Sequence, residues 1–123
     1  MAERISEAEL TVMEALWAST VPLTAQEVHD RIGDAREWSD RTVKTMLGRL
    51  LAKGVLAHEE DGRRYLYRPT VKRESYVAGE SRRLVDRLFG GRAAPLVAHL
   101  AEGEGLSAQD IAELEALLKE LKA

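Results

Sequence analysis

Between Arg41 and Arg49 the chain carries side chains of the type and spacing that read a nucleic-acid duplex. Arg41, Lys44, Thr45, Gly48 and Arg49 recur at i, i+3, i+4, i+7 and i+8, which is one face of a helix. Val43, Met46, Leu47 and Leu50 take the opposite face. A recognition helix needs this division: one stripe anchors it and the other meets base edges in the major groove. A guanidinium donates two hydrogen bonds to guanine O6 and N7, and a threonine methyl can meet the thymine C5-methyl. Gly48 keeps the outward face shallow, so a groove can approach closely. Arg63 and Arg64 follow an Asp61-Gly62 pair and are placed to clasp backbone phosphates beside that groove. Thr24 opens a further helix, whose first N–H groups can take another phosphate.

The charge distribution agrees, although the formal net charge is −3. Residues 1–35 hold two bases and seven acids, a net of −5. Residues 41–58 hold four bases and no acid, and residues 62–73 hold five bases and no acid. Residues 102–123 hold two bases and six acids, a net of −4. Local potential governs phosphate attraction, because charges further away than about 10 Å are screened. Other chemistry finds little support. There is no cysteine, and His29, His58 and His99 lie far apart in sequence, so no metal site is expected. No motif frames a serine nucleophile. The reading is of a chain that is not an enzyme and holds no cofactor.

The elements that must position these residues are legible in outline. Ser6-Glu7-Ala8-Glu9 is a capping box that opens a helix to about Ala18, with an apolar stripe of Leu10, Met13, Leu16 and Trp17. Val21-Pro22-Leu23 is an extended link. Thr24-Ala25-Gln26-Glu27 is a second box, before a short helix that carries Val28 and Ile32 and stops at Gly33. Ser39 caps a third helix that ends at Gly54. The period then becomes alternating. Val55–Glu59 reads as a strand, Asp61-Gly62 as a turn and Arg64–Arg68 as the return strand, closed by Pro69. Three helices and a hairpin, in that order, predict a winged helix-turn-helix. Trp17 and Trp38 read as core.

The fold class expected is mostly α with a small β-hairpin. Residues 1–72 form the DNA-binding domain and residues 73–123 a helical dimerisation domain. The tail reads as helix from Arg73, a break at Gly90-Gly91, a short segment over 94–100, and a last helix opened by the box Ser107-Ala108-Gln109-Asp110. Such a tail is too small and one-sided to bury its own apolar face, which a second copy of the chain would cover. The residues expected at that interface are Tyr76, Leu84, Leu88, Phe89, Leu96, Leu100, Ile111, Leu114 and Leu118. The alternative is a tail folded back on its own first domain. At 123 residues, 45% apolar and 32% charged, the chain has material for one ordinary domain or two small units. No apolar run is long enough to span a membrane, and Met1–Glu9 lacks the regions of a signal peptide. A cytoplasmic location without membrane insertion is expected.

The stretch from Trp38 to Leu50, followed by Lys53-Gly54-Val55-Leu56, closely resembles the recognition helix of the BlaI/MecI penicillinase-repressor family, the BlaI/MecI/CopY regulators. Ala8-Glu9-Leu10, Met13, Leu16-Trp17, Leu88-Phe89-Gly90-Gly91 and Leu96-Val97 extend the similarity over nearly the whole chain. The resemblance implies a bacterial transcriptional repressor. It implies a dimer on a pseudo-palindromic double-stranded operator with TACA and TGTA elements, upstream of β-lactamase and sensor genes. By motif match it gives Arg41, Thr42, Lys44, Thr45 and Arg49 the DNA-contacting role, with Thr42 and Thr45 as base readers. In antibiotic-responsive members a membrane sensor-protease pathway signals cleavage at an Asn-Phe bond in the tail. His99-Leu100 stands at the aligned place, a departure that puts such release in doubt. The copper-sensing branch carries a cysteine motif that this chain lacks. The rival class is a winged-helix adaptor that binds protein, and its outward third-helix face would tolerate apolar or acidic residues.

Overall fold

The structure is a computed structural model that describes residues 4–33, 36–103 and 105–123. The reading of the extreme N-terminus as no signal peptide falls partly on residues 1–3, outside the described residues.

Three helices open the chain: α1 (Glu7–Trp17), α2 (Ala25–Ile32) and α3 (Asp40–Ala52). Each begins where a hydroxyl side chain satisfies amide groups that the first turn leaves unpaired. The Glu9 and Glu27 amides donate to Ser6 Oγ and Thr24 Oγ1, both at 3.1 Å, and each glutamate accepts in return from the cap amide at 2.9 Å. Ser39 Oγ accepts from the Thr42 amide at 3.2 Å.

The helices bury one shared core. Val12, Met13 and Leu16 meet Leu23, Val28, Val43, Leu47, Leu50, Val55 and Leu56, all nearly free of solvent. The stripe expected on α1 is off by part of a turn. Val12 and Glu9 lie inside, while Leu10 and Trp17 are half-buried. Trp17 and Trp38 pack against the core, as expected.

The hairpin pairs β1 (Leu56–Asp61) with β2 (Arg64–Pro69), antiparallel, in register from Leu56↔Pro69 to Asp61↔Arg64. Pairing thus runs two residues further along β1 than the alternation suggested, and the turn is Gly62-Arg63. The reason is local. Gly62, at φ 68°, takes the first central position, where a II′ turn demands glycine. Leu23 adds a short third rung, exchanging hydrogen bonds with Tyr67 at 3.0 and 2.7 Å. That rung holds the hairpin against the N-terminus of α2.

A helix α4 (Arg73–Phe89) follows. Its first turn is stapled to α1. Trp17 Nε1–H donates to the Val71 carbonyl at 2.9 Å, Arg73 donates to Glu14 at 2.7 and 3.3 Å, and the Trp17 and Tyr76 rings lie 5.7 Å apart. The chain divides into two compact units, the first ending at Tyr76.

The second unit, residues 77–123, holds the rest of α4, α5 (Ala93–Glu102) and α6 (Ala108–Lys122). The expected box at Ser107 and Asp110 forms, with both hydrogen bonds at 3.1 Å. Val85 is the one buried apolar side chain of this unit among the described residues. No helix among them is long and apolar enough to cross a membrane.

Candidate nucleic-acid interface

The outward face of α3 is open. Arg41, Lys44, Thr45, Gly48 and Arg49 are exposed, whereas Val43, Leu47 and Leu50 are sealed beneath and Met46 is half-buried. None of Arg41, Lys44 and Arg49 is ion-paired among the described residues. Thr42 sits half-buried on the flank, its hydroxyl 3.1 Å from that of Ser39. The Thr45 hydroxyl donates back to the Arg41 carbonyl at 2.9 Å. Its proton is therefore occupied within the helix, leaving the methyl and the oxygen lone pairs for a partner.

Beside this face lies a cleft of about 330 Å³. Thr24, the cap of α2, lines it with Ala25 and Gln26 of that helix, Asp40 and Lys44 of α3, Arg63 of the hairpin turn, and Arg64, Tyr65 and Tyr67 of β2. It brings Thr24, Lys44 and the Arg63-Arg64 pair together from three separate parts of the sequence. Thr24 is buried, and its hydroxyl caps α2. What it presents to a ligand is the helix end, with its positive dipole pole. The Thr24 amide and hydroxyl hold the Glu27 carboxyl below its ordinary pKa. Burial, with Tyr65 nearby, pushes the Tyr67 phenol up. Tyr65 and Gln26 carried no signal in a reading by charge, although Tyr65 and Tyr67 alternate along one strand face.

Three of the central bases are engaged elsewhere. Lys53 Nζ donates to Glu9 Oε1 at 2.6 Å and to the Arg4 carbonyl at 2.8 Å. Arg64 donates to Asp61, and Arg73 to Glu14, which raises the Arg73 pKa. No group of three or more potential ligands for a metal ion occurs among the described residues.

Residues 5–120 match the penicillinase repressor family. The chain belongs to that family. The penicillinase repressor of Bacillus licheniformis is 34% identical over 119 residues, covering 97% of this chain and 92% of that one. The DNA-binding domain of the repressor BlaI, known in solution, is 36% identical with a TM-score of 0.55. The monomeric form of Bacillus licheniformis BlaI in complex with the blaP half-operator is also 36% identical, with a TM-score of 0.53. Each of these two structures covers 62% of this chain, and the chain covers 92% of each. A penicillinase repressor with this fold is a winged helix-turn-helix DNA-binding regulator and not an enzyme. The adaptor alternative falls with that membership.

The residues expected to pair the repressor's tails have varied surroundings. Leu84, Leu88, Leu100, Ile111 and Leu118 are exposed, Leu88 at 59% and Leu118 at 56%. Leu96 and Leu114 are half-buried. Phe89 is half-buried, its ring 6.5 Å from that of His99. Tyr76 lies within the first unit, against Trp17. An apolar groove of about 350 Å³ runs along α5 and α6, lined by Val97, Leu100, Leu106, Leu114 and Leu117 and edged by Asp110 and Glu113.

Proposed function

We propose that this repressor binds as a homodimer to a pseudo-palindromic operator with TACA and TGTA elements. The α3 helix of each copy enters a major groove, and the 55–69 hairpin acts as wing. Arg41, Lys44 and Arg49 supply donors to phosphates and guanine edges, and Thr42 and Thr45 read bases. The α2 terminus at Thr24, with Arg63 and Arg64 at the wing, seats flanking phosphates. The observation that carries the reading is the outward α3 face, exposed along Arg41, Lys44, Thr45, Gly48 and Arg49 and bordered by the cationic cleft. The half-operator complex of the BlaI relative supports it.

The test is a gel shift on such an operator. Arg49→Ala and Thr45→Ala should each weaken specific binding by about 1–3 kcal/mol, or roughly five- to 150-fold. Unchanged affinity in both variants would remove the assigned reading face.

The tail pairs two copies through the exposed leucines of α4, α5 and α6, which bury too little within their own unit to be stable alone. Sedimentation at micromolar concentration should therefore give the mass of two chains; a single-chain mass sinks this part of the reading. The genes under control belong to the β-lactamase or sensor class, and the protein acts in the cytoplasm. The His99-Leu100 bond lies inside α5, so proteolytic release through a membrane sensor-protease pathway requires that helix to open before it is cut.

A further inference from the structure

The wing carries its own anion. Strand β1 ends on three acids in succession, Glu59, Glu60 and Asp61, all exposed. Asp61 alone of the three holds a cation among the described residues: Arg64 Nε and Nη2 donate to its Oδ2 at 3.2 and 3.1 Å. The pair is open to solvent, with Arg64 at 66% and Asp61 at 49% exposure. An ion pair of that kind contributes little to folding. Yet it occupies a guanidinium that also lines the cleft with Lys44 and Arg63. A guanidinium that donates two N–H groups to a carboxylate can donate them to a phosphate instead.

We propose that Asp61 is an exchangeable counter-ion that limits how tightly the wing grips DNA. In the free repressor Asp61 occupies Arg64. On a duplex a phosphate oxygen replaces it, and Asp61 remains beside the backbone as a like charge. The exchange taxes every phosphate contact at the wing, whatever the base sequence, so it holds down binding to arbitrary DNA. This inference rests on the wing approaching the backbone, as proposed above.

The probe is a random-sequence duplex with the full-length protein, followed by fluorescence anisotropy over a range of potassium chloride. Asp61→Asn should tighten binding about two- to fivefold, the worth of an exposed pair. It should also steepen the slope of log K on log salt by up to about 0.9 per chain, because one more cation now releases counterions unopposed. Glu60→Gln removes the same charge one residue away without freeing Arg64, and its smaller effect is the baseline. In an Arg64→Gln background, Asp61→Asn should do no more than Glu60→Gln does. The exchange is overturned if Asp61→Asn and Glu60→Gln act alike, or if Asp61→Asn keeps its full effect without Arg64. Arg64→Gln alone separates the two readings: if it leaves the salt slope unchanged, Arg64 does not meet the backbone and the proposed seating of flanking phosphates by it fails, whatever Asp61 does.

Discussion

Lys53→Met should cost the fold about 3–5 kcal/mol, the usual result of stripping a buried ion of its partner. The ion is Glu9, which is 2% exposed. Its Oε1 accepts from the Ser6 amide and from Lys53, while Oε2 has no hydrogen-bond partner among the described residues. Without Lys53 that carboxylate stays in the core with half its hydrogen bonding unmet. Total stabilities of small proteins run to about 5–15 kcal/mol, so the loss would show plainly in a urea melt. Pairing the change with Glu9→Gln should recover most of it, because glutamine can still accept from the Ser6 amide and carries no charge. A Lys53→Met protein within about 1 kcal/mol of the parent would refute the account.

Acid should act on the same pair. Burial works to raise the pKa of Glu9, but hydrogen bonds from Lys53 and Ser6 outweigh it, and the value lies below the ordinary 4.5. A carboxylate whose pKa is lowered by folding adds stability above its unfolded value. That stability is lost as pH falls through the folded value. The parent should therefore lose stability on the acid side more steeply than the Glu9→Gln protein does.

Operator binding should collapse with salt. Arg41, Lys44, Arg49 and Arg63 are exposed and have no ion pair among the described residues, and three or four phosphates per chain is a fair count for them. For a dimer this gives a slope of log K on log salt of roughly −5 to −7. Between 50 and 200 mM salt, affinity would drop about a thousand- to ten-thousandfold. A titration with a slope near −1 would mean that these cations do not meet the backbone. Lys53 and Arg73 enter no such count, since both are held by glutamates.

What the sequence made legible was whatever depends on neighbours a few residues away. The two faces of α3 follow from helical spacing, and the caps at Ser6, Thr24, Ser39 and Ser107 from a hydroxyl at the right offset. The hairpin was legible as a hairpin but two residues short, because Gly62 begins the turn and does not end it. Lys53 looked like one more surface base. Its partner Glu9 is 44 residues away, and no periodicity reports so distant a pair. Glu9 itself was legible only as the acid of a capping box. Thr24 was rightly placed at a helix end, but its hydroxyl faces its own helix. The Asp61–Arg64 pair lay within three residues and was readable from the start; counting bases alone concealed it. The leucine spacing of the tail located its apolar face, and the expectation that a second copy covers it came from the tail's small size.

Gly48 carries a consequence for anyone breeding sturdier forms of this repressor. Mid-helix glycine costs about 1 kcal/mol relative to alanine. A methyl at that position would meet nothing within 4 Å among the described residues, so none of their atoms asks for its absence. Directed evolution rewarded only for heat tolerance would drift toward alanine there, filling the shallow spot that lets a groove come close. Survivors would melt a few degrees higher while silencing their promoters less, unless repression were selected alongside.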